Sequence, residues 1–124
     1  MNQKIYWITG VVFALSAVIA EALGAHALSG VSESGQDNYR TATLFLMFHG
    51  LVMLIMPFYS EKHDSRLLNT SSGMIASGAF IFSLTVIIKV FIHNPWWGFI
   101  TPIGGGILIL GWLLFLIAAV SSRK

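Results

Sequence analysis

The sequence EALGAHAL, residues 21–28, closes the first long apolar stretch of this chain and places a carboxylate and an imidazole among alanine, glycine and leucine. Glu21 and His26 stand where a chain that has crossed a bilayer would leave it. An ionisable side chain inside a bilayer costs about 2.5–3.5 kcal/mol on insertion scales, so such residues are usually paired or functional. This stretch therefore predicts a membrane-spanning helix that ends near residue 28, with a polar group at its end.

The composition supports a membrane protein. Hydrophobic residues make up 56% of the 124 residues, charged residues only 10%, and the mean hydropathy is +0.78. Soluble domains carry about 25% charged residues, so this chain cannot cover a water-facing surface. The net charge of +2 comes from scattered lysines and arginines and indicates no nucleic-acid surface. The chain has no cysteine, which excludes disulfides and thiolate metal sites.

The apolar residues form four runs, each close to the roughly 20 residues that cross a hydrocarbon core. In lipid the backbone must bond internally, and the runs lack a period of two, so helices are predicted rather than a barrel. Short connections favour one all-α transmembrane domain over residues 1–124, an up-down-up-down four-helix bundle. The predicted helices span about 5–28, 39–58, 73–92 and 101–120. Thr101 is the predicted N-cap of the fourth, with Pro102 at its first position.

The positive charges near the run ends predict the orientation, because cytoplasmic loops carry an excess of lysine and arginine. Five lie on the side of the termini and two on the other, which predicts both termini in the cytoplasm. The two sets are Lys4, Lys62, Arg66, Arg123 and Lys124, against Arg40 and Lys89.

Residues 1–27 also resemble a signal peptide, with Ala25-His26-Ala27 as a cleavage site. The apolar run is longer than the 7–15 residues of a signal peptide's apolar region, so an uncleaved first helix is preferred.

Small residues recur at helical spacing in the first run. Gly10, Ala14, Ala17, Glu21 and Gly24 share a face, which indicates close helix contact in lipid and turns Glu21 towards the bundle. In the fourth run, Gly104 to Gly106 also indicate close helix contact. The alternative is that these glycines leave room for a ligand or form a flexible hinge.

The outer half of the predicted bundle brings together five ionisable residues, Glu21, His26, Arg40, Lys89 and His93. Glu21 is predicted to pair with Arg40 or Lys89, the alternative being that both cations extend to headgroup water. His49 lies near the midplane, either bonded to a neighbouring carbonyl or serving as a proton relay, ligand contact or metal ligand. No metal-binding spacing is present, so neither a metal nor a cofactor is predicted. The candidate residues are Glu21, His26, Arg40, His49, Lys89 and His93.

Three segments carry a family resemblance: Leu23-Gly-Ala-His-Ala-Leu28, Phe48-His-Gly-Leu51, and Thr101-Pro-Ile-Gly-Gly105 followed by Leu110-Gly-Trp112. In this order the chain resembles the YgdD/YwdK-type membrane proteins, an uncharacterised family. The resemblance implies four transmembrane helices in a bacterial cytoplasmic (inner) membrane and brings no established activity. The matching positions are Gly24, Ala25, His26, His49, Thr101, Pro102, Gly104 and Gly105.

Three functions remain open. The preferred one is an accessory or interaction subunit, with the bilayer and a larger membrane complex or a second copy as partners. The others are a small ligand or ion carrier, and a lipid-acting enzyme that uses the Glu/His/Arg/Lys cluster. No catalytic motif is found, so no catalytic residue is predicted.

Overall fold

The computed structural model describes residues 2–122 and contains four helices in this range. They are α1 (Gln3–Ala27), α2 (Glu33–His63), α3 (Arg66–Phe91) and α4 (Pro95–Ser121). Each is long and apolar enough to cross a membrane. The predicted all-α class with four candidate spans is thus confirmed, while Arg123 and Lys124, used to predict the orientation, lie outside the described residues.

The helices extend beyond the apolar runs. A polar residue caps the start of the helix, and the polar residues between this cap and the apolar run are helical too. Ser32 caps α2 by accepting a hydrogen bond from the Gly35 amide at 3.2 Å, so residues 33–38 are helical rather than loop. Ser65 caps α3 in the same way, accepting from the Leu68 amide at 3.1 Å. The connection that the sequence placed at residues 59–72 is therefore only Asp64 and Ser65.

The start of α4 corrects one prediction. Asn94, rather than Thr101, is the N-cap and accepts from the Trp96 amide at 3.1 Å. Pro95 occupies the first turn, where its missing N–H is harmless, and Pro102 lies inside the helix. The prediction of Thr101 as N-cap was wrong because Asn94-Pro95 provides the same signal two turns earlier.

The helices α2 and α3 form the middle of the molecule. α1 packs along α2, with Gln3 Nε2 donating to Glu61 Oε1 at 3.3 Å, and the Tyr6 hydroxyl lies 3.3 Å from Ser72 Oγ of α3. α4 packs along α3 and also reaches α2, where the rings of Tyr59 and Phe115 are 5.5 Å apart. Each outer helix is therefore held by both middle helices.

Glycines allow the closest helix approaches. A Cβ added at Gly10 of α1 would lie 2.8 Å from the Gly50 carbonyl oxygen of α2. A Cβ added at Gly78 of α3 would lie 2.5 Å from the Leu108 nitrogen of α4, closer than real side chains approach backbone. Gly104 is similarly tight against the Phe82 nitrogen, at 2.6 Å. Gly10 and Gly104 thus lie at close helix contacts, as the sequence indicated, whereas a Cβ at Gly106 would meet nothing within 4 Å.

Buried hydroxyls mostly bond to the preceding turn of their own helix. Ser71 and Ser72 both donate to the Leu68 carbonyl at 2.8 Å, and Thr85 donates to the Ile81 carbonyl at 2.7 Å. Among the described residues, the buried side-chain nitrogen and oxygen atoms without a hydrogen-bond partner are Ser83 Oγ and Trp97 Nε1. The interior polarity is thus largely satisfied within the bundle.

Candidate functional site

Glu21 bonds to a hydroxyl rather than to a cation. Its side chain is exposed at the edge of the α1–α2 contact, where Oε1 accepts a hydrogen bond from the Thr43 hydroxyl of α2. Thr43 is only 1% exposed, and its hydroxyl also lies 2.9 Å from the Arg40 carbonyl oxygen. The carboxylate is therefore held by the side of α2 that faces α1.

The predicted ion pair between Glu21 and Arg40 or Lys89 was wrong for the part of the chain that the structure describes. Arg40 is exposed and lies one turn before Thr43, so its backbone carbonyl, rather than its guanidinium, takes part in this contact. Lys89 faces a groove whose lining does not include Glu21. The expectation that Glu21 turns towards the bundle holds in part, because its carboxylate bonds to the buried Thr43 of α2 while its side chain stays exposed.

Tyr39 fixes the same end of the α1–α2 pair. Its hydroxyl donates to the Ala20 carbonyl of α1, and its ring packs on Gly24, where an added Cβ would lie 2.7 Å from Tyr39 Cε1. Gly24 thus has a structural role at this contact. His26 lies nearby in sequence but is exposed in the last turn of α1.

His49 is a buried core histidine, only 3% exposed. Its Nδ1 lies 2.6 Å from the Phe45 carbonyl oxygen, and its Nε2 accepts from the Trp112 indole N–H of α4 at 3.2 Å. Because the indole occupies Nε2, the ring donates through Nδ1 to Phe45. Both ring nitrogens are engaged within the chain, which is the first of the alternatives that the sequence left open.

An apolar pocket of about 490 Å³ lies beside this pair, between α2 and α4. Aromatic rings dominate its wall, and His49 is its polar residue. It is lined by Leu44, Phe45, Phe48, His49, Leu108, Ile109 and Trp112.

A larger groove of about 890 Å³ lies where the start of α2 meets the end of α3 and the start of α4. Lys89 and His93 both line it, so the structure brings these two candidates together. We call it the lysine groove; it is lined by Gly30, Val31, Ser32, Ser34, Gly35, Asn38, Phe82, Val86, Lys89, Val90, His93, Asn94, Pro95 and Thr101.

The predicted cluster therefore separates into two places. Glu21 lies with Thr43 at the α1–α2 edge, while Lys89 and His93 lie in the lysine groove. Within residues 2–122, no three His, Asp or Glu side chains are grouped so that they could hold a metal ion. The groove offers one cation and several hydrogen-bond donors, which suits the binding of an anion better than acid–base chemistry.

The sequence reasoning missed Thr43 and Trp112 as polar partners. Thr43 follows Arg40 by three residues and so lies on the same side of the helix. The prediction that Arg40 pairs with Glu21 could therefore have named Thr43 as a second possible partner. Trp112 carries an N–H that needs an acceptor in lipid, and His49 was a candidate at mid-helix on another run. Ser34 and Asn38 were missed because their segment was assigned to a loop.

Comparison with known proteins places the chain in a family. The family model described as a protein of unknown function (DUF423) matches residues 20–105. The chain belongs to the DUF423 family. The match covers Glu21, His49 and every residue that lines the lysine groove, whereas Trp112 lies beyond it.

Relatives of this DUF423 protein are named as membrane proteins. A UPF0382 membrane protein of Staphylococcus aureus (strain bovine RF122 / ET3-1) is 36% identical over 117 residues, which cover 94% of this chain and 95% of the relative. A UPF0382 membrane protein of Staphylococcus epidermidis (strain RP62A) is 33% identical over 119 residues, 95% of this chain and 97% of the relative. No solved structure shows significant similarity. The chain is thus a multi-pass membrane protein of an uncharacterised family.

Proposed function

We propose that this DUF423 protein is an accessory or interaction subunit within the membrane. The observation that supports this proposal best is the brevity of its connections, residues 28–32, 64–65 and 92–94. Such segments form no soluble domain, so the protein offers its recognition surface within the bilayer and at its interfaces. The partner is a larger membrane protein complex or a second copy of the chain.

The engagement of the buried polar groups favours this role over that of a carrier. A carrier needs polar groups near the midplane that can turn to a substrate. Here the deepest titratable group, His49, has both ring nitrogens engaged: Nδ1 by the Phe45 carbonyl of its own helix, and Nε2 by the Trp112 indole of α4. The imidazole of His49 thus helps to hold α4 against α2.

Photocrosslinking in living cells tests the interaction role. A photoreactive amino acid at the exposed Leu113 of α4 or Leu15 of α1 should give a discrete adduct with one other membrane protein or with a second copy. The same probe at the buried Leu108 is the matched control and should give none. If both exposed positions yield only the uncrosslinked monomer, the interaction role is refuted.

We further propose an up-down-up-down topology with both termini in the cytoplasm of a bacterium, the protein residing in the cytoplasmic membrane. The bias of lysine and arginine supports this orientation, and the resemblance to YgdD/YwdK-type proteins supports the location. Because the chain has no cysteine, single substitutions provide a clean test. Ser29→Cys should react with an impermeant maleimide on intact cells, and Asp64→Cys only after permeabilisation; the reverse pattern would invert the topology.

A further inference from the structure

The lysine groove combines a polar rim with an apolar wall. Lys89 and His93 approach it from α3 and the segment that follows, and Ser34 and Asn38 approach it from α2. Deeper along α3, Phe82 and Val86 line the same groove. One continuous surface thus presents a cation and hydrogen-bond donors at one end and hydrocarbon at the other, which matches an amphiphile with an anionic head.

The position of the groove suits a headgroup. The 31 residues of α2 extend about 46 Å at 1.5 Å per residue, well beyond a hydrocarbon core of about 30 Å. The first turns of α2, which carry Ser34 and Asn38, therefore reach the interface. Trp96, 70% exposed at the start of α4, lies at the same end, where tryptophan is enriched in membrane proteins.

The charges around the groove favour an anion. Lys89 lines it and belongs to no ion pair among the described residues. The carboxylates of Glu33 and Asp37 each precede a groove residue by one position, which turns them about 100° away on the helix, and neither lines the groove. Lys89 therefore shares the lining of the groove with no carboxylate.

We propose that the lysine groove binds the phosphate of an anionic phospholipid, with Lys89 as the cation and the acyl chain along Phe82 and Val86. A phospholipid and a soluble phosphate ion both carry the phosphate group that Lys89 would bind. The apolar wall of the groove favours the phospholipid, because only the lipid has an acyl chain to cover that wall. This site is independent of the accessory role proposed above, since a lone subunit would bind the lipid equally well.

Lipid titration of the purified protein in detergent tests this proposal. Thermal stability is followed while short-chain phosphatidylglycerol, short-chain phosphatidylcholine or inorganic phosphate is added, and apparent affinities are derived from the shifts. Phosphatidylglycerol should bind more tightly than phosphatidylcholine. In Lys89→Gln its affinity should fall about fivefold, which is the contribution of one lysine beside an anionic lipid surface.

Two further variants separate binding from folding. Lys62→Gln removes an equal charge from the exposed last turn of α2, outside the groove, and should bind phosphatidylglycerol like the wild type. Ser34→Glu places a carboxylate on the rim and in the first turn of α2, where negative charge favours the helix. It should fold normally and weaken phosphatidylglycerol binding at least as much as Lys89→Gln.

The proposal is overturned if Lys89→Gln or a folded Ser34→Glu retains wild-type affinity, or if Lys62→Gln loses as much. Equal stabilisation by the two phospholipids would also overturn it. If inorganic phosphate alone gives the same shift with the same dependence on Lys89, the groove takes a soluble anion and the assignment to a lipid is wrong.

Discussion

Replacing Gly78 by alanine should weaken the α3–α4 contact. The added methyl would lie 2.5 Å from the Leu108 nitrogen and 2.8 Å from its Cα, so the backbone of α4 must move to admit it. Overpacking of this kind costs about 1–3 kcal/mol, while alanine gains up to about 1 kcal/mol over glycine in a helix. We expect Gly78→Ala to lower the free energy of unfolding by about 1–2 kcal/mol.

Gly106→Ala provides the matched control, because a Cβ at Gly106 would meet nothing within 4 Å. The same substitution there should be neutral, or stabilising by up to about 1 kcal/mol. Reversible unfolding in mixed micelles of mild detergent and dodecyl sulfate, followed by circular dichroism, measures both variants. If Gly78→Ala proves as stable as Gly106→Ala, the α3–α4 contact is not as close as described here and the reasoning fails.

Three further substitutions can be measured in the same unfolding assay. Tyr6→Phe removes the buried hydroxyl that joins α1 to α3 and should cost about 0.6 kcal/mol, the average for such bonds in a membrane protein; no loss would show that the contact contributes nothing. Trp112→Phe leaves His49 Nε2 without its donor and should cost about 1 kcal/mol, whereas Trp96→Phe at an exposed ring should be neutral; equal effects would contradict the histidine contact. Asn94→Ala removes the cap of α4 and should cost about 1 kcal/mol; an unchanged stability would place the start of α4 elsewhere.

The fold class could be predicted because it follows from composition and run length alone. The ends of the helices could not, because hydropathy reports where a chain prefers lipid and not where its helix stops. Ser32 and Ser65 are cap residues that were counted within loops. Recognising Ser32 would have shortened the first connection to residues 29–32, close to the observed 28–32, whereas recognising Ser65 would still have left residues 59–65 in the second.

The candidate site shows the corresponding limit for side chains. Distance along the helices placed Glu21 and Lys89 in the same half of the bundle. Whether they meet depends on the rotation of each helix about its axis, and one residue changes that angle by 100°. The structure turns Glu21 to Thr43 and Lys89 to the lysine groove. For His49, by contrast, the sequence left a bonded core residue open as one alternative, and that alternative needed no knowledge of helix rotation because the partner carbonyl lies on the same helix.

The two-residue connection at Asp64 and Ser65 has a consequence for biogenesis. In the proposed topology, so short a link obliges α2 and α3 to enter the bilayer together as a hairpin. α1 is synthesised before either of them, so until they arrive its glycine face must be covered by lipid or by the insertion machinery. The molecule is then completed from its centre outwards, when α1 docks on one flank of the hairpin and α4 on the other.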